Sequence, residues 1–323
     1  MDNMQKLDWI RYGTDYVLRN KTENREKFIL PYSKRRMVSF YEANDMLLAC
    51  LQSDEKTFAG RLGFFELATM RNFEFHKNKN YDLCMEQLYN CAGFFPNESK
   101  YGEDFLNLMK GSIKECDMLA CNWQPFENYF INKYMKKDAI AVNTFDVMEP
   151  WRFEKPWTSA LEGKKVLVVH PFEDTIKNQY EKRDKLFIGT NILPKFELIT
   201  YKALQTTGDL KDDRFETWFE ALDFMSEEIS KIDFDVALLG CGAYGFPLAA
   251  RIKANGKSAI HMGGVLQLLF GIMGKRWDGT GPNSTTGKIR EDLAPFYNEF
   301  WTYPLDSETP KSASKVEYGP YWK

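Results

Sequence analysis

Phe234-Asp-Val-Ala-Leu-Leu-Gly-Cys-Gly-Ala-Tyr-Gly-Phe-Pro-Leu-Ala-Ala-Arg-Ile-Lys-Ala-Asn-Gly256 decides the fold class. Val236 to Leu239 is a short, uncharged apolar run, the pattern of a strand buried on both faces. Gly240, Gly242 and Gly245 follow in GxGxxG spacing around Tyr244. Phe246, Leu248, Ala249, Ala250 and Ile252 then make an apolar stripe with Arg251 and Lys253 off it, and Asn255-Gly256 ends the helix. Pro247 is tolerated only in a first helical turn, so the helix begins just beyond Gly245. A strand, a glycine turn and a helix bring backbone close to a ligand and offer free N–H groups to an anion. The plain alternative is a tight turn with no ligand.

A dinucleotide site needs an acidic residue about 20 positions further on to hold the ribose. The next strand, Ser258 to His261, runs into His261-Met-Gly-Gly264 without a carboxylate. No NAD is therefore expected, while a nucleotide or nucleotide-sugar phosphate fits. Gly263-Gly264, ahead of the apolar Val265 to Met273 helix, offers a second set of N-terminal amides, and two such turns side by side suit a diphosphate.

Working outward, strands and helices alternate. Lys165 to Val169 is a strand ending at His170-Pro-Phe-Glu-Asp174, followed by a helix from Thr175 to Phe187. Phe196 to Tyr201 is a strand ending at Lys202, and Phe215 to Ile232 is a long helix. Earlier, helices are predicted over Ser39 to Leu51, within Tyr81 to Cys121 and over Tyr129 to Lys136. Short strands are predicted at Met118 to Cys121 and Ala139 to Val142, and Thr57 to Met70 reads as a strand that turns at Gly63 into a helix. The expected class is α/β and Rossmann-like, a mostly parallel sheet with helices on both faces. Residues 1–150 form a helix-rich lobe that opens on a peripheral helix and connector over 1–32. Residues 151–285 form the βα lobe, one continuous sheet with the first, and 286–323 a tail. The break is placed at 147–157, with its two prolines.

The 323 residues are 44% hydrophobic and 28% charged with a formal net charge of −3, an ordinary globular composition that points to neither nucleic acid nor an anionic membrane. No signal peptide and no transmembrane run is evident, and the six cysteines show no CxxC spacing, so the expected location is cytoplasmic with reduced thiols. GxSxG, GxxxxGK[ST] and HExxH motifs are absent. Ligands of open parallel sheets bind beyond the strands' carboxyl ends. That rule gathers Arg61, Gly63 and Glu66; His170; Lys202; Gly240, Gly242, Tyr244 and Gly245; and His261, Gly263 and Gly264. Glu66 in a first helical turn also has a plain explanation in the helix dipole. Cys241 is a candidate nucleophile, or simply a small side chain in a tight turn.

Trp157 to Phe172, Gly240 to Lys253, Ile260 to Gln267, Gly274-Lys-Arg-Trp277 and the ending Glu308-Thr-Pro310 through Trp322 resemble a family of bacterial proteins associated with surface-polysaccharide biosynthesis. That family is grouped with the D-type glycosyltransferase (GT-D) fold. Arg61-Leu-Gly-Phe-Phe-Glu66 is similar to the Arg-x-Gly-Asp-Gly-Glu stretch of D-type enzymes, whose acidic pair is tied to nucleotide-sugar and metal binding. The resemblance implies a nucleoside-diphosphate-sugar donor, a glycan acceptor and Mg2+ or Mn2+. Phe64, however, replaces the Asp, and one carboxylate is a poor divalent site. The implied function is a glycosyltransferase with Glu66 or His170 as general base and the other orienting the acceptor. Arg61, Lys202 and the glycine turns would hold the diphosphate. The alternatives are a non-catalytic nucleotide-binding module and, disfavoured by the missing carboxylate, an NAD-type oxidoreductase.

Overall fold

The computed structural model describes residues 2–20 (side chains to residue 17), 37–75, 81–207, 210, 212–281, 287–311, 313–316 and 319–323. Eight strands form one sheet: β1 (Met37–Val38), β2 (Phe58–Gly60), β3 (Met118–Ala120), β4 (Ile140–Val142), β5 (Lys165–His170), β6 (Glu197–Lys202), β7 (Val236–Leu239) and β8 (Ser258–His261). Their order is β1-β4-β3-β2-β8-β7-β5-β6, and every pairing is parallel. Strands from residues 1–150 and 151–285 therefore share one sheet, joined where β2 pairs with β8 through Phe58↔Ala259 and Ala59↔Ile260.

Successive strand residues serve opposite faces. Ala237 and Leu239 pack among α3 (Phe64–Phe75), α4 (Tyr81–Ala92), α5 (Gly102–Glu115), α8 (Trp218–Ser230) and α9 (Gly245–Ala254). Val236 and Leu238 face the side built on α2 (Phe40–Gln52), α7 (Glu173–Tyr180), α10 (Leu266–Leu269), α11 (Lys275–Asp278) and the C-terminal segment. α1 (Asn3–Asn20) and α6 (Glu127–Tyr134) extend the first layer. The predicted connector over 21–32 lies outside the described residues.

Three predicted helices come out shorter, for local reasons. α8 starts at Trp218 because Thr217 and Glu220 close a capping box: the Thr217 hydroxyl accepts the Glu220 N–H and the Glu220 carboxylate accepts the Thr217 N–H. α7 stops at Tyr180, whose hydroxyl is tied to the Phe196 backbone, and a 3-10 turn over Arg183–Lys185 takes over. The apolar run after Gly264 gives only the four residues of α10, because Gly271 turns at φ +65° and Ile272 bridges to Thr302. Most of the stretch 147–157 is buried, with Glu154 and Lys155 exposed. Trp151 and Trp157 pack into the α2 side, and the Trp157 indole donates to Val147 O at 2.8 Å.

Candidate functional site

A cleft of about 480 Å³ opens at the carboxyl ends of β2, β5, β7 and β8. Its lining includes every sequence-predicted residue except Lys202 and Gly245: Arg61, Gly63 and Glu66; His170; Gly240, Gly242 and Tyr244; and His261, Gly263 and Gly264. Lys202 ends β6, an edge strand, and lines with Arg214 and Glu228 an adjoining depression that shares Pro171, Leu204 and Gln205 with the cleft.

The glycines do something other than leave backbone bare. The place where a β-carbon would stand is filled by His261 at Gly245, by Arg61 at Gly263, by Glu66 at Gly63, by Tyr321 at Gly264 and by His170 at Gly240. Candidate side chains thus pack against the main chain at these five glycines. Gly242 and Gly263 also need their residue type for the backbone, at φ +58° and +66°, and Gly242 abuts the Ala92 carbonyl. Tyr244, inside the first turn, stacks on Trp218 at 4.9 Å, and its hydroxyl lies 3.0 Å from Thr206 Oγ1.

Both cleft histidines are neutral. Burial takes His170 down to about 3. Burial, reinforced by the Arg61 cation, takes His261 to about 3 as well. Phe172 N donates to His170 Nδ1 at 3.0 Å, so the neutral ring carries its proton on Nε2. His261 Nδ1 is buried with no hydrogen-bond partner. Folded values below the ordinary 6.5 mean that, as pH falls, the unfolded chain takes up protons first. The histidine contribution to stability is whole above about 6.5 and is lost as pH falls towards 3, at up to ~1.4 kcal/mol per pH unit each. Denaturant midpoints should therefore drop between pH 6.5 and 4.5. Neither imidazole should titrate by NMR in the folded protein over that window, and a folded-state titration near pH 6 would overturn the assignment. His76 lies outside the described residues.

Arg61 Nε donates to Met262 O at 3.3 Å, and its guanidinium lies over the Phe145 ring at 5.8 Å. Glu66 is the third residue of α3, folded back over Gly63. Beside them Phe64, 52% exposed, meets Phe65 edge-on at the mouth. The lining's other acid, Glu149, is fully buried. Arg290 clasps it with two hydrogen bonds of 2.9 and 3.1 Å, and Arg152 Nε adds a third at 2.5 Å. That leaves Glu66 as the single cleft carboxylate for a divalent cation. Among the described residues no three His, Cys, Asp or Glu side chains converge as a metal set. One carboxylate is a poor Mg2+ or Mn2+ site on its own, and such an ion would lean on substrate phosphates beside Glu66. Burial pushes the Cys241 thiol up to about 12, the opposite of an activated nucleophile.

Sequence reasoning left the C-terminal segment without a place. It forms one wall of the cleft through Val316, Tyr321 and Trp322. Lys275 N donates to Trp322 O and Arg276 N to Pro320 O, both at 3.0 Å, and Gln267 Nε2 donates to Tyr321 O at 3.2 Å. Upstream, Glu308 caps α7, accepting the Asp174 and Thr175 N–H groups at 2.8 and 3.2 Å. That helix N-terminus is filled by the protein's own carboxylate. Asn122, Phe145, Arg276 and Arg290 also line the cleft unforeseen. Only the Gly274-Lys-Arg-Trp277 block carried a sequence signal.

No protein-family model matches the chain, and no curated protein matches it. Among solved structures it is similar to one described by the words "the highly conserved domain of unknown function 1792 has a distinct glycosyltransferase fold". Identity is 11%, with 86% of this chain and 94% of that one covered, at a TM-score of 0.42. A selenomethionine form of domain of unknown function 1792 matches with the same coverage at 12% identity and a TM-score of 0.35. Among the described residues no helix is long and apolar enough to cross a membrane.

Proposed function

We propose that the protein is a cytoplasmic glycosyltransferase that moves a sugar from a nucleoside diphosphate to a glycan acceptor in bacterial surface-polysaccharide assembly. The observation that carries this reading is the meeting, in one cleft, of the Glu66 carboxylate, the Arg61 guanidinium and the glycine turns of β7 and β8. Arg61 and the backbone N–H groups that open the turns at residues 241–243 and 263–264 take the diphosphate, the roles those groups fill at anion sites generally. Lys202, in the adjoining depression, adds its charge from the side. Phe64 and Phe65 offer aromatic faces at the mouth for the base or a sugar ring.

In the transfer, the acceptor hydroxyl oxygen bonds to the anomeric carbon as the carbon–oxygen bond to the diphosphate breaks. The diphosphate leaves with the bonding pair. Glu66 takes the hydroxyl proton as general base. His170, with its proton held on Nε2, acts as a donor that orients the acceptor rather than as the base. No step is routed through a metal. The test is a thermal-shift panel of UDP, GDP, CDP, CMP, their sugars and NAD(H), with and without Mn2+. A true donor at ~100 times its dissociation constant adds ~2.7 kcal/mol, a clear rise in melting temperature. A shift confined to one nucleotide family supports the proposal, and no shift with any of them sinks it.

The second reading, a nucleotide-binding module without turnover, is favoured by one observation. Glu66 folds over Gly63 in the position a helix-capping glutamate takes. Nucleotide binding without transfer to any glycan acceptor would select it.

A further inference from the structure

The inner face of α1 is fully committed. Tyr12 is buried, Trp9 packs on Phe75 and Phe126 at 5.3 and 4.6 Å, and Asp15 Oδ2 accepts from Asn128 Nδ2 at 3.0 Å. Its start is fixed by a reciprocal cap: Gln5 N donates to Asp2 Oδ1 at 2.7 Å and Asp2 N to Gln5 Oε1 at 2.9 Å. The outer face is another matter. Met4, Leu7, Ile10 and Val17 are 64%, 69%, 63% and 49% exposed, and their spacing of three, three and seven residues puts them on one side of the helix.

Charge sorts along the same line. Lys6 and Arg11 are exposed with the apolar stripe. Asp15 is spent on Asn128, and Asp8 is half-buried one turn along from Met4, at the edge of the stripe. The exposed stripe itself is thus apolar and basic. By sequence alone, residues 21–36 carry six lysines and arginines against two glutamates, in a chain whose net charge is −3. The whole-chain balance conceals this local excess.

We propose that the outer face of α1 docks on the surface of an anionic lipid bilayer, lying in the interface with Met4, Leu7, Ile10 and Val17 among the acyl chains. Apolar side chains with interleaved cations are what such a surface takes up, the basic stems reaching to the headgroups. The exposed Lys6 and Arg11 beside the apolar stripe complement anionic headgroups, which favours the lipid over a protein partner. Phe126, under α1, lies six residues beyond the end of β3, and Asn122 in the same connection lines the cleft.

The experiment is co-sedimentation of the full chain with vesicles of phosphatidylcholine alone or with about one-third phosphatidylglycerol, at low and raised salt, beside sedimentation equilibrium without lipid. The expected result is binding to the anionic vesicles, weakened by salt, and lowered at least about tenfold in the Leu7→Gln/Ile10→Gln protein at an unchanged melting temperature. Lys6→Gln/Arg11→Gln should reduce the preference for phosphatidylglycerol, which keeps the test decisive should the first variant fold poorly. Absence of vesicle binding overturns the proposal, as does binding that neither variant alters. A dimer in lipid-free solution that Leu7→Gln/Ile10→Gln dissolves, with no vesicle binding, would assign the face to a second copy instead.

Discussion

Glu66→Gln is expected to slow sugar transfer by about 10²–10⁴-fold, the usual worth of a positioned general base, while nucleotide affinity stays close to that of the unmodified protein. Glutamine keeps the shape and still fits over Gly63, so the start of α3 and the seat of Arg61 over Gly263 survive. What it loses is the charge and the proton-accepting oxygen. The measurement is turnover under donor saturation together with the nucleotide thermal shift. Unchanged turnover would sink the base assignment. Loss of turnover with a large fall in melting temperature of the ligand-free protein would move the effect from chemistry to helix capping.

Trp218→Ala is expected to remove about 3–5 kcal/mol of stability, the range for truncating a buried large aromatic. The indole is fully buried, stacked on Tyr244 at an interplanar angle of 15° and packed against Phe94, Phe105 and Phe219 at 5.2, 5.8 and 5.4 Å. Deleting it empties the space behind the β7 glycine turn, because Tyr244 then has no stacking partner. Denaturant unfolding should show a lower midpoint with the same slope. A loss under ~1 kcal/mol would mean that the neighbouring rings close the gap and that the turn has other support. Trp218→Phe, which refills most of the volume, should cost much less.

The sequence signals that proved legible were the local ones. β7, β8 and α9 stand within a residue of expectation because an uncharged apolar run, glycines and a striped helix follow each other in one short stretch. The apolar run after Gly264 misled, since a long hydrophobic segment reads the same whether it is a helix or a short turn buried among other elements. Its length was set by Gly271 and by pairing with Thr302, some 30 residues away. The cleft was half legible. Residues at the ends of central strands could be gathered by rule, but not the partners that come from afar. Arg290 reaches Glu149 across 141 positions and Gln267 reaches Tyr321 across 54, and nothing at either end announces the other. That Lys202 stands beside the cleft rather than in its lining was not legible either, since which strand lies at the edge is decided by pairing order.

The pairing of β2 with β8 also orders events in time. Thr57 N donates to Ser258 Oγ beside that pairing, 201 positions apart. At a synthesis rate of roughly 5–20 residues per second, β2 waits ~10–40 s on the ribosome for its central neighbour. Throughout that interval the edge on which β8 will add is an unmated strand edge, open to chaperones and to other nascent chains. A chain cut short before residue 258 lacks the strand that joins β1-β4-β3-β2 to β7-β5-β6, so those two sets of strands have no common neighbour through which to form one sheet.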